Sequence, residues 1–259
     1  MATYKKRGYK PKPIKEKGET IEVSEQDSTT AEVFNSLDEG ANKAEDFVAR
    51  NQKGIFILIG VVALIVLGYL GYQKLIAEPK GDEAMNEMYS AQKSFDEAVT
   101  GTNKDSLYTL ALNGVGGKLG LTDIVDQYGS TPAGNLANYY AGMAYLNLQD
   151  YSNAVKYLGD FETEDAVLGP IAKGGMGDAF VQLNQLPEAL EYYEKAINAS
   201  TNDYTTPMYL LKAANVAQSI GKKDKALEYY KRIKSDFSTS DQAKNIDVFI
   251  GRAEASSKS

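Results

Sequence analysis

Between Lys53 and Lys74 lie twenty consecutive uncharged residues, Gly54–Gln73, reading GIFILIGVVALIVLGYLGYQ. At about 1.5 Å rise per residue, a helix of that length covers roughly 30 Å, the thickness of a bilayer's hydrocarbon core. Twelve of the twenty are Ile, Leu, Val or Phe. At a few tenths of a kcal/mol each, they favour insertion by roughly 4–7 kcal/mol. The stretch is apolar on every face, and a soluble domain this small has too little surface to cover it. A transmembrane helix over residues 54–76 is therefore expected. Arg50 and Lys53 flank its entry, Lys74 its exit, and Tyr69 and Tyr72 sit where amphipathic rings settle at a membrane interface. The run is longer than a signal-peptide core and is followed by Ala77-Glu78-Pro79 without a small-x-small site, so an uncleaved anchor is expected.

Orientation follows from charge. Lys5, Lys6, Arg7, Lys10, Lys12, Lys15 and Lys17 precede the span, and basic flanks stay in the cytoplasm. The N-terminus is expected there and residues 77–259 on the far side. Residues 1–31 hold few large apolar side chains and read as a disordered cytoplasmic tail. From there Val33, Phe34, Leu37, Ala41, Ala44, Phe47 and Val48 recur at helical spacing, an amphipathic juxtamembrane helix over 32–53. Within the span, Gly60, Leu64, Gly68 and Gly71 share one face, a docking face for a second transmembrane helix.

The net charge of −7 lies wholly beyond the span. An acidic domain repels phosphates, so nucleic acid is not an expected partner. The chain contains no His, Cys or Trp. That removes thiol and Ser-His nucleophiles and ordinary zinc, copper or haem sites. The acidic groups Glu162/Glu164/Asp165 and Glu188/Glu191/Glu194 read as solvated faces and loops. No catalytic residue, metal, cofactor or small-molecule substrate is expected; the chain does not read as an enzyme.

Beyond Pro79 the pattern is helical, and repetition dominates it. Tyr151-Ser-Asn-Ala-Val-Lys-Tyr-Leu158, Leu186-Pro-Glu-Ala-Leu-Glu-Tyr-Tyr193 and Lys223-Asp-Lys-Ala-Leu-Glu-Tyr-Tyr230 superpose, with Ala154, Ala189 and Ala226 spaced 35 and 37 residues apart. Each follows a helix carrying small residues: Gly142 with Ala144, Gly177 with Ala179, Ala214 with Val216. These segments resemble the tetratricopeptide repeat, a helix-turn-helix unit of about 34 residues in which small residues let paired helices approach. The expected fold is all-α: one N-terminal transmembrane helix, then a tetratricopeptide-repeat α-solenoid over 77–259. Clear repeats are placed near 135–162, 170–198 and 207–235, with a capping helix over 241–256.

The resemblance also implies a binding groove, since such domains present a concave face built from the first helix of each pair. On this chain it would be lined by Leu136, Tyr139, Met143 and Leu146, then Ile171, Asp178 and Val181, then Met208, Leu211, Asn215 and Gln218. That mixture suits an apolar peptide or helix. Tyr139 and Met143 stand where relatives that hold chaperone C-termini carry Lys and Asn, which disfavours that ligand.

The order of parts is similar to the YfgM family of bacterial inner-membrane proteins. Asp126-Gln-Tyr-Gly-Ser-Thr-Pro-Ala133, leading into Asn135-Leu-Ala-Asn-Tyr-Tyr140, resembles that family's repeat entry. Asp236-Phe-Ser-Thr-Ser-Asp-Gln-Ala243 echoes it. The basic tail and Tyr-rich composition resemble a Bacteroidetes-type member. The resemblance implies a single-pass protein of the bacterial inner membrane with a periplasmic C-terminal domain. It would be an accessory subunit of the SecYEG-type Sec translocon, paired with a PpiD-type chaperone and close to nascent secretory proteins. Two other scaffolds fit the same parts: one for cell-envelope assembly, unconnected to the translocon, and an N-anchored organelle import receptor with cytosolic repeats.

Overall fold

In the computed structural model, residues 29–257 are described, and they divide into two units between Gly68 and Tyr69. Among the described residues there is helix and no strand. The expected disordered tail lies outside them, apart from its last three residues, which are helical.

Helix α1 spans Thr29–Tyr72. It belongs to the one helical stretch among the described residues that is long and apolar enough to cross a membrane, and none of its apolar window is buried by protein. Leu64 is 71% exposed and Ile57 68%. Side chains of that kind on every face have no stable place in water, and the helix is consistent with a single-pass anchor. The backbone of the amphipathic stretch is helical as well. Of the apolar residues proposed for its face, Phe47 and Val48 are described, and both are exposed.

A π-helical turn, Gln73–Ala77, leads into α2 (Glu78–Thr100), and the Glu78 N–H donates to the Gln73 carbonyl. The wider turn sits just ahead of Pro79. A proline ring in a regular helix collides with the carbonyl four residues back, here that of Leu75, and opening the ladder by one residue relieves the collision.

Helices α3 (Lys104–Asn113) and α4 (Leu121–Tyr128) pack with α2 and with α5 (Pro132–Asn147). Three helix pairs follow: α5 with α6 (Tyr151–Gly159), α7 (Leu168–Gln182) with α8 (Leu186–Ala199), and α9 (Thr205–Ser219) with α10 (Lys223–Asp236). One turn design recurs in all three. Gln149, Asn184 and Gly221 take the left-handed conformation at φ 63°, 59° and 77°. The next N–H, of Asp150, Gln185 or Lys222, reaches back to the carbonyl of Tyr145, Phe180 or Ala217. This is the Schellman closure of a helix end. Only the third pair uses the residue for which that conformation is free of strain.

The small residues do what the repeat pattern asks of them. A Cβ on Gly142 would stand 2.5 Å from Leu158 Cγ, and one on Gly177 2.6 Å from the Tyr193 ring. Ala154, Ala189 and Ala226 are fully buried. The expected capping helix is divided. A 3₁₀ turn, Asp241–Ala243, is followed by left-handed Asn245 and then α11 (Ile246–Ser257). The apolar members of α11 keep their role: Ile246 is buried, and Phe249 lies 5.5 Å from the Tyr230 ring.

Burial is divided into three clusters. One joins α2 to α6, a larger one joins α8 to α11, and a small cluster of Leu158, Ala172 and Met176 sits where α6 meets α7.

Candidate protein-binding surfaces

The first helices of the three pairs, α5, α7 and α9, lie side by side. Along α7, residues 171, 174, 175 and 178 fall on one face at 100° per residue. The middle two are glycines. Gly174 is covered by the Tyr209 ring of α9, with no room for a Cβ beneath it. A Cβ on Gly175 would stand 3.6 Å from both the Met143 sulfur and Leu146 Cδ2 of α5. Three glycines in four residues weaken α7 as an isolated helix, and they let α5 and α9 close over it.

Ten of the proposed groove residues are half-buried: Leu136, Tyr139, Met143, Leu146, Ile171, Asp178, Val181, Met208, Leu211 and Gln218; Asn215 is exposed. The apolar members pack partly against neighbours. Tyr139 lies 5.6 Å from Tyr140 and 5.3 Å from Phe161, and Met143 touches two of the core clusters. Val181, Met208 and Leu211 border the third.

The three polar members are engaged within the chain. Asp178 accepts from the Tyr193 hydroxyl at 2.6 Å and is paired with Lys212 at 2.7 Å. Asn215 and Gln218 accept from the Tyr230 hydroxyl at 2.8 and 3.2 Å. Tyr193 and Tyr230 each stand 15 residues beyond their acceptor, so both pairs are one device repeated. The corresponding residues of the first pair are the apolar Met143 and Leu158, which belong to one hydrophobic cluster beside Gly175. Burial, then the Asp178 charge, holds the Tyr193 and Tyr209 hydroxyls well above the usual tyrosine range.

A second lock joins α8 to α10. Glu194 accepts from Lys225 at 2.6 Å and from the Tyr229 hydroxyl at 2.7 Å. Burial and the bond to Glu194 raise Tyr229 likewise. Neither lysine is conspicuous in the sequence. The signal available was a separation close to one repeat, 34 residues for Asp178–Lys212 and 35 for Glu194–Tyr229.

The acidic groups are structural or solvated. Asp165 accepts from the Val167 and Leu168 N–H groups, which lower its pKa, and Glu191 pairs with Lys195 at 2.7 Å. Among the described residues no cluster of His, Cys, Asp or Glu could hold a metal. On α1, Gly60, Leu64 and Gly68 are exposed and Gly71 half-buried. Nothing lies within 4 Å of a Cβ built on any of these three glycines.

A tetratricopeptide-repeat family model matches residues 136–164 and 209–240, and a second tetratricopeptide-repeat model matches 172–203. The matches fall on the three helix pairs, so the chain contains tetratricopeptide repeats, and proteins with such repeats are generally non-enzymatic scaffolds for other proteins. No curated protein matches it.

Proposed function

We propose that this chain is a membrane-anchored scaffold of the bacterial Sec translocon, holding a chaperone or an emerging secretory protein on the face of α5, α7 and α9. The reading rests on one observation. The polar members of that face are bonded within the chain, so what it offers a partner is half-exposed Leu136, Tyr139, Met143, Ile171, Met208 and Leu211. Such a surface takes an apolar peptide or the apolar side of a helix, as unfolded secretory chains present. The apolar helix supports tethering at a membrane, which raises the local concentration of whatever the repeats hold. By resemblance to the YfgM family, the channel is of SecYEG type, the chaperone of PpiD type and the repeat domain periplasmic. Gly60, Leu64, Gly68 and Gly71 are the face through which the span docks beside the channel.

The test is a photo-crosslinker at Leu64 in the native membrane, with purification in mild detergent. Adducts to a SecY-type channel and co-purification of a periplasmic chaperone are expected. Recovery of envelope-assembly proteins with no channel would reject the translocon. Digestion of residues 77–259 by protease added to the cytoplasmic side of sealed vesicles would reject the orientation.

A further inference from the structure

The small cluster between the first two repeats is not closed. Leu158, Ala172 and Met176, 2, 3 and 6% exposed, are its only buried members. All three line a cavity of about 130 Å³. Phe161 and Thr163 from the connection between α6 and α7, and Tyr192 from α8, complete its walls. A cavity of about 150 Å³ lined by apolar side chains holds a benzene molecule, whereas drug-sized ligands occupy roughly 300–1,000 Å³. This space fits one side chain.

Two glycines keep it open, and neither is required by packing. A Cβ on Gly159 would meet only Met176 Cε at 3.5 Å, and one on Gly169 only Thr163, at 3.5 Å from Cγ2 and 3.8 Å from the carbonyl oxygen, all ordinary contacts. Both glycines are helical, with no left-handed backbone to justify them. They differ in this from Gly142 and Gly177, where a neighbouring side chain already occupies the space.

The mouth is cationic. Lys173 and Lys195 both line the cavity. Lys195 is paired with Glu191 and lies 4.2 Å over the Tyr192 ring. Lys173 is half-buried and has no partner among the described residues, in a domain that is acidic overall. Asp165, an exposed acid of the connection, is engaged by backbone N–H groups.

The geometry points to a second binding site here, for the C-terminus of a partner polypeptide ending in a Leu- or Phe-sized residue. The terminal side chain fills the cavity, and its carboxylate, one carbon away, meets Lys173. Gly169, Lys173 and Met176 stand roughly 200° around α7 from Ile171 and Asp178, so the mouth at Lys173 opens away from the face of α5, α7 and α9, although the inner wall at Phe161 backs onto Tyr139 of that face. It stands or falls independently of the function proposed for that face.

The experiment uses the full chain in lipid nanodiscs and a fluorescein-labelled Gly-Ser octapeptide ending in a free-acid phenylalanine, read by anisotropy. Saturable binding is expected, weakened about tenfold or more when the terminus is amidated or the phenylalanine is replaced by glycine, since each change removes one of the two contacts. The double variant Gly159→Ala/Gly169→Ala narrows the cavity by two methyl groups and replaces helical glycines with a better helix former. It is expected to unfold at the same or a higher temperature while binding falls about tenfold. Lys173→Gln is expected to lose discrimination between acid and amide while keeping the fold. Equal binding of acid and amide, binding untouched by the double variant, or no saturation up to about 1 mM peptide would overturn the assignment.

Discussion

The joint between the first and second repeats and the joint between the second and third are made from equivalent helices, yet they are held differently. At the second joint, Asp178–Lys212–Tyr193 on one side and Glu194–Lys225–Tyr229 on the other link α7 to α9 and α8 to α10. At the first, Met143, Leu146, Leu158 and Gly175 meet through apolar contact beside an open cavity. Its connection is tied to α5 by neutral bonds, between Asn135 and the Glu162 backbone at 2.7 and 2.9 Å. The repeat fixes where helices cross; the residues at the crossing decide whether the joint is closed by directional charged bonds or left able to admit a partner.

Breaking the glycine stack at the second joint should have the largest effect. Gly174→Leu drives a side chain into the Tyr209 ring and is expected to cost about 3 kcal/mol, measured by chemical unfolding of the repeat domain. Next comes the polar lock. Asp178→Ala leaves the Tyr193 hydroxyl and Lys212 without their acceptor, at about 2 kcal/mol. Asp178→Met with Tyr193→Leu copies the first repeat's apolar pair into the second. Removing both partners together is expected to cost less than the single Asp178→Ala change, by about 1 kcal/mol. A double variant no more stable than the single would show that the two joints are not interchangeable designs.

Alkali should sharpen the comparison. The usual tyrosine value is 10.0, and in the folded protein Tyr193, Tyr209 and Tyr229 are held above it by burial and then by Asp178 or Glu194. Between those values the unfolded chain has released protons that the native state retains. Stability is therefore full below about pH 10 and declines as pH rises beyond it. Replacing the three by Phe is expected to flatten that decline, read as unfolding free energy against pH over about one unit either side of the usual tyrosine value. The smallest effect belongs to the turns. Gln149→Gly places the residue already used at position 221 into the first turn, and is expected to stabilise by about 0.5–1 kcal/mol.

Much of this was legible in the residues. Ala154, Ala189 and Ala226 mark the buried contacts of the second helices, and Gly142 and Gly177 mark the close approaches, because a repeat must place small residues where helices touch. The apolar run of α1 declared itself by length. Other features were hidden. Glu194 reads as one of three solvated acids, since its partners Lys225 and Tyr229 come from the next repeat. Asp178, Asn215 and Gln218 fall at groove positions by helical spacing, but their hydroxyl partners stand 12 to 15 residues further on, across a turn. Pro79 signals a break, yet the chain absorbs it as a π turn. Asn245 divides the last helix by adopting a conformation that asparagine tolerates without requiring.

The most direct test of the scaffold places a photo-crosslinking residue at Met143 or Leu211, on the face of α5, α7 and α9, and at exposed Glu188 on α8 as the reference, in the full chain in its own membrane. Adducts to a chaperone or to secretory chains should form from the first two positions and not from the third. If Met143 and Leu211 capture no more protein than Glu188, the face is ordinary surface and the account is contradicted.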